Sequence, residues 1–316
     1  FLVMDTGALG GISASSCIPA HKIPLISAYL TQAEESQYYP YDIAVGDVPN
    51  DAIRNGILGL KQLGYFSAGK GFKKLGYLYE DCLPAVVALQ TAELNKAGVS
   101  NNEIVTDDLG CPQGSSVSSA ALEGAVLKFK DAGVTDVTEV GFGSYGAFTQ
   151  IAAQQNFKPH YVFDDSAVPS NESAGVDAPN PANLNGAVDV VESGYGEQQT
   201  PGYKPSGGTK QCNAIYAAAK LPTVYKQPDG YGGVICDYMV FLQALLSKTP
   251  RFQGSDLVKG IHSIGSLDLS FPGAPLNYSA APAGSVYGVG YWRLVKYSSG
   301  CKCWEVPNPT FHAPFK

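Results

Sequence analysis

Charged side chains are scarce in this sequence, 16% of its 316 residues, and those present sum to a net charge of −7. Lysine and arginine form no cluster, so a nucleic-acid backbone finds no basic footprint. The four histidines are scattered over positions 21, 160, 262 and 312. No C-x-x-C occurs, and the one close cysteine pair, Cys301-Lys302-Cys303, lacks the partners that a structural zinc site needs. No run of 18 apolar residues exists to span a bilayer. Repeats of solenoid period are missing as well.

What is present is an ordinary hydrophobic share of 45%, with 36 glycines and 21 prolines that mark many turns. The length suits two lobes better than one core. Seven cysteines in this context point to disulfides in an oxidising compartment, with Cys212–Cys236 and Cys82–Cys111 as the first candidates. Buried free thiols are the alternative, and the odd count leaves one cysteine over. FLVMD (1–5) opens the sequence as a core-like strand with no polar lead, Met start or signal peptide.

The most regular stretch runs from Lys73 to Asp165. KLGYLYED (74–81), EIVTDD (103–108), DVTEVGF (136–142) and HYVFDD (160–165) read as strands, and helical runs at 83–99, 115–134 and 147–157 separate them. Connections of that length are crossovers, so the fold class is α/β, with parallel, doubly wound sheets. Elsewhere, 24–30 and 42–48 read as extended, 48–65 as a helix, and Gly69–Gly71 as a crossing between lobes. Helices are expected at 210–220 and 230–248, the latter with Ile235, Met239, Leu242 and Leu246 on one face. A hairpin turning at Ser298–Gly300 follows.

Ligands of such sheets sit outside the carboxyl ends of the strands. The loops there begin at Glu80–Asp81, Asp107–Asp108, Gly143–Tyr145 and Asp164–Ser166, and none carries a catalytic set. Paired acids at strand ends equally cap helices or face solvent. Three fragments imitate enzymes. Thr6–Ile12 resembles the Gly-rich turn of short-chain dehydrogenases, and Tyr216 with Lys220 supplies a Y-x-x-x-K, but Pro19 cuts the following helix short. Gly143-Ser144-Tyr145-Gly146 resembles a nucleophile elbow, but Phe142 stands where the first glycine belongs and His312 is the one candidate late histidine. The acid pairs are the third. The reading is therefore of a binding protein without cofactor or catalytic residues.

The opening LVMDTGALGGISASS, then IPAHKIPLIS, KKLGYLYED, and FKDAGVTDVTEVGFGSYGAFTQIAAQQNFKPHYVFDD, in this order and with GYGGVICDYMVFLQALLSK after them, resemble the type I periplasmic solute-binding proteins. The leucine/isoleucine/valine-binding group of ABC importers is the nearest in pattern. The resemblance implies two doubly wound lobes joined at a hinge, residues 1–70 plus 203–268 forming one and 73–200 plus 285–306 the other. It also implies that the family's first two strand–helix units would precede Phe1.

Carried over from the family, the ligand would meet Thr6, Gly7, Ala8, Ser27, Ala28, Tyr29 and Thr31 from the first lobe. The second would supply Cys82, Leu83, Phe142, Ser144, Tyr145, Asp164 and Asp165, with Tyr231 reaching in from the loop before the long helix. Hydroxyls and helix-start N–H groups suit a carboxylate, aromatics an apolar body, and an acid an ammonium. Amino-acid binders carry Ser at the place of Ala8 and an acid at that of Ser166. These departures move the expected ligand toward an aromatic or other amphipathic solute walled by Tyr29, Phe142, Tyr145 and Tyr231. The implied protein is an extracytoplasmic monomer, periplasmic or lipid-anchored, that hands its solute to a membrane permease. A sensor ectodomain of the same fold and an NAD(P)-dependent oxidoreductase are the alternatives.

Overall fold

The computed structural model describes residues 1–5, 12–27, 32–80, 84–110, 117–140, 144–164, 178–194, 202–223 and 232–316. The chain forms two α/β units. The first comprises Phe1–Asp51, Glu192–Gly194 and Lys204–Tyr291, the second Ala52–Val191, Tyr195–Tyr203 and Trp292–Lys316.

In the first unit, β1 (Val3–Met4), β2 (Leu25–Ser27) and β3 (Asp42–Ala44) make a parallel sheet in that order. Helices α1 (Ile12–Ala20) and α2 (Gln32–Tyr38) are the crossovers, and α3 (Pro49–Gln62) leaves the sheet after β3. Ile26, Ile43 and Val45 share a core with Tyr238, Phe241, Leu245, Leu257 and Ile261.

The second unit holds a larger sheet. It contains β4 (Leu75–Tyr79), β5 (Ile104–Asp108), β6 (Asp136–Val140), β7 (His160–Asp164) and β8 (Val188–Val191), all parallel in the order β8-β7-β6-β4-β5. Helices α4 (Pro84–Ala97), α5 (Ser119–Ala132), α6 (Tyr145–Gln154) and the short α7 (Pro181–Leu184) lie between them in sequence. Alternation along the strands feeds two cores. Tyr161 and Phe163 of β7 join Val126, Phe129 and Phe148, whereas Val162 joins Ile53, Ile57 and Leu60 of α3 and Leu94 of α4. A sheet buried on both faces in this way needs near-continuous apolar strands. The α5 side chains also press onto the sheet backbone: a Cβ on Gly76 of β4 would lie 2.7 Å from the Phe129 ring. Ser118 caps α5 by accepting the Ala121 N–H at 3.2 Å, and Gly133 ends it at φ 72°.

The remaining helices are α8 (Gly207–Ala218), α9 (Gly232–Lys248) and α10 (Gly254–His262), followed by the antiparallel pair β9 (Ser266–Leu267) and β10 (Leu276–Asn277). The chain ends on β11 (Arg293–Ser298) and β12 (Cys303–Glu305), the expected hairpin, which adds antiparallel to β8.

Three expectations change. The passage out of the first unit falls at Asp51–Ala52 inside α3, not at Gly69–Gly71, because Ile53, Ile57 and Leu60 pack into the second unit's core. Residues 52–70 accordingly belong with the second unit, and 285–291, expected in the second lobe, with the first. The apolar face Ile235, Met239 and Leu246 of α9 points outward at 42%, 51% and 54% exposure. Its inward face is Cys236, Val240, Phe241 and Leu245.

Cys212 of α8 and Cys236 of α9 are joined, as the cysteine reading anticipates, and Cys301–Cys303 forms a second disulfide at the hairpin turn. Cys17 is a free, exposed thiol, while Cys82 and Cys111 lie outside the described residues. The Cys212–Cys236 link spans 24 positions, so loop-closure entropy gives it about 3 kcal/mol. Replacing both cysteines with Ala should lower the unfolding free energy by that amount in urea titrations carried out without reductant.

Candidate functional site

Most of the residues expected at the ligand fall where strands end. Thr6, Gly7 and Ala8, then Ala28, Tyr29 and Thr31, then Cys82, Leu83, Phe142, Asp165 and Tyr231 lie outside the described residues. Ser27, Ser144, Tyr145 and Asp164 are described, and each is engaged within its own unit.

In the first unit the Ser27 hydroxyl, at the end of β2, donates to the Asp42 carboxylate at 2.8 Å, and both residues are buried. In the second unit the carboxyl edge of the sheet is lined beneath by acids. Glu80 follows β4, Glu139 sits one residue before the end of β6, and Asp164 ends β7; all three are buried. Asp164 lies on the same face of β7 as Val162 and so turns inward beneath α3. A Cβ on Gly56 would come within 2.1 Å of the Asp164 side chain. Gln90 of α4 donates to its carboxylate at 2.6 Å. Burial together with this acid raises the Tyr77 hydroxyl far above its ordinary pKa. Tyr145 is buried too, its ring 5.2 Å from that of Phe163 in the core.

Glu139 is the residue that sequence reasoning missed. Its carboxylate accepts the backbone N–H and the hydroxyl of Ser144, each at 2.7 Å, and also a backbone N–H from Tyr145. An acid at this place satisfies orphan donors of α6 and complements its dipole. The Ser144 proton is committed to Glu139, so toward any other partner this oxygen is an acceptor. Burial pushes the Glu139 carboxyl up to about 7, the Ser144 bonds oppose the rise, and the Glu80 charge adds to it. An acid in the middle of the buried strand DVTEV was the available signal, since unpaired carboxylates are rarely enclosed.

The enzyme-like fragments are described in part, Thr6–Gly11 lying outside the described residues. Tyr216 sits on α8, but that helix ends at Ala218, and Lys220 lies beyond it at φ 58°. His312 stacks on Trp292, with ring centroids 4.4 Å apart. Pro19 falls inside α1, which is nine residues long. Among the described residues no group of three His, Cys, Asp or Glu could hold a metal, and no helix is long and apolar enough to cross a membrane.

No family model and no curated protein matches this sequence. Solved structures do match in fold. An ABC-transporter solute-binding protein from Rhodopseudomonas palustris BisB5, in complex with 3,4-dihydroxybenzoic acid, is 16% identical with a TM-score of 0.63. The alignment covers 100% of this chain and 77% of that one. A second solute-binding protein from R. palustris, holding 4-hydroxybenzoate, is 12% identical at a TM-score of 0.65, covering 99% and 77%. A leucine-binding protein from Thermotoga maritima is 12% identical at 0.59, covering 99% and 79%. This is the fold of type I solute-binding proteins.

The raised Glu139 carboxyl has a measurable consequence. In the folded protein it holds a proton that the unfolded chain has released, so its contribution to stability is full below pH 4.5 and is lost as pH rises to about 7. Glu139→Gln should flatten this part of the stability–pH curve, measured by urea unfolding at several pH values across that window. An unchanged slope would contradict the assignment.

Proposed function

We propose that this protein is an extracytoplasmic solute-binding protein of an ABC importer, taking up a small aromatic carboxylate. The observation that carries the reading is whole-chain similarity in fold to solute-binding proteins, two of them holding hydroxybenzoates. The two doubly wound units suit capture by closure around a ligand, which would shift an open–closed equilibrium by touching both in the closed state. Delivery to a membrane permease, action as a monomer, and a periplasmic or lipid-anchored location belong to the same proposal. The disulfides agree with an oxidising compartment.

Two features favour an aromatic acid over an amino acid. Asp164, expected to meet an ammonium group, is enclosed and bonded to Gln90. Ser144 offers an acceptor oxygen, which suits a phenolic hydroxyl better than a carboxylate. In this reading Tyr29, Phe142 and Tyr231 flank the ring, and Thr6 with its neighbouring backbone N–H groups takes the carboxylate.

Thermal unfolding of the purified protein should be followed with 4-hydroxybenzoate, 3,4-dihydroxybenzoate, leucine and NAD(P). A ligand at about 100 times its dissociation constant adds roughly 2.7 kcal/mol of stability, readily seen as a shift in Tm. Hydroxybenzoates should give that shift. Leucine alone would move the ligand class to amino acids, and NAD(P) alone would overturn the binding-protein reading.

A further inference from the structure

A second group of acids lies in the first unit. Asp47 follows β3, Glu192 follows β8, and Gly290 precedes β11. The chain passes between the units five times, at Asp51–Ala52, Val191–Glu192, Gly194–Tyr195, Tyr203–Lys204 and Tyr291–Trp292, and each of the three residues is within four positions of one of these passages. Their backbones are pinned into the first unit. Gly273 donates to the Glu192 carbonyl at 2.8 Å, Gly194 to that of Phe271 at 2.8 Å, and Gly288 to that of Gly46 at 3.3 Å.

The Asp47 carboxyl gathers these segments. One oxygen accepts the Val48 N–H at 2.8 Å, and the other the Gly290 N–H at 3.1 Å. The same carboxyl is hydrogen-bonded to that of Glu192. Gly290 is required for the approach: a Cβ there would stand 2.4 Å from Glu192 Oε2 and 3.2 Å from Asp47 Oδ2. A hydrogen bond between two carboxyl groups needs a proton on one of them, because two carboxylates have only acceptors to offer.

Buried Arg293 of β11 stands opposite Val191, while the charged groups that act on Asp47 itself are acidic. Glu192 and Asp51 both act on Asp47, and with burial they hold its carboxyl well above the usual carboxylate range. Asp51 in turn accepts the buried Tyr287 hydroxyl at 2.6 Å, and Glu35 of α2 acts on that tyrosine together with Asp47 and Asp51.

We propose that Asp47 and Glu192 share one proton and form a pH-operated latch that ties together, within the first unit, the three segments through which the chain leaves it. With the proton in place, 46–48, 192–194 and 288–290 are cross-linked by side chain as well as backbone. When pH rises and the pair loses that proton, two facing carboxylates beside Asp51 repel, and the segments loosen. The two acids titrate as a pair rather than singly. The inference stands whether or not the ligand reading does.

Hydrogen exchange of the intact protein, read by mass spectrometry on peptides covering 46–48 and 286–291, tests it. After correction for intrinsic exchange, protection of the Gly290 amide should fall about tenfold or more between about pH 5 and about pH 9. Peptides from β6 of the second unit provide the reference. Glu192→Gln supplies its own N–H donor to Asp47, so protection in that variant should be nearly independent of pH. Asp47→Asn serves the same purpose should the first variant fold poorly. PH-independent protection at Gly290 in the parent protein overturns the latch, as does a variant whose dependence is as steep as the parent's. The parent measurement decides the matter even if neither variant folds.

Discussion

The constraint on which this structure depends is the burial of a parallel sheet on both faces. In the second unit, β4, β6, β7 and β8 are covered from two sides, so most of the side chains along them are enclosed. Polar groups are then admitted only where a specific partner waits. Asp164 finds Gln90, and Glu139 finds Ser144 at the start of α6. Enclosed carboxylates without such donors would be neutralised or expelled. The same rule shapes the first unit, where Ser27 meets Asp42 and Asp47 meets Glu192, Val48 and Gly290.

A common electrostatic theme follows. Glu35, Asp47, Asp136, Glu139 and Asp237 all have carboxyls raised by burial before any other cause. Each favours the folded state at acid pH and loses that contribution as pH climbs through its own titration. Together with a net charge of −7, they predict a protein whose stability declines from mildly acidic toward alkaline conditions.

Much of the fold was legible because its signals were local. Strands β4 and β7 are short runs of mainly apolar residues, and α5 carries its own start in Ser118 and stop in Gly133. The choice between faces was not local. Both sides of α9 are apolar, and only packing against Ile26 and Ile43 selects Phe241 and Leu245 over Met239 and Leu246. Helix α10 went unread although GSDLVKGIH places Leu257 and Ile261 on one buried face. The passage inside α3 could not be seen, since one continuous helix serves two units. At the strand ends, the loops were found by order and spacing. The direction of Asp164 was also available, because it shares the face of Val162 on a period-two strand. Glu139 escaped because a lone acid in a strand announces no partner five residues away.

The proposed role is capture of a small organic acid that leaves the protein chemically unchanged. Native mass spectrometry of the chain, incubated with pooled hydroxybenzoates, amino acids and NAD(P), tests that most directly. One aromatic acid per chain, recovered chemically unchanged, is the expected result. A bound nucleotide, or a ligand recovered as a transformed product, would contradict it.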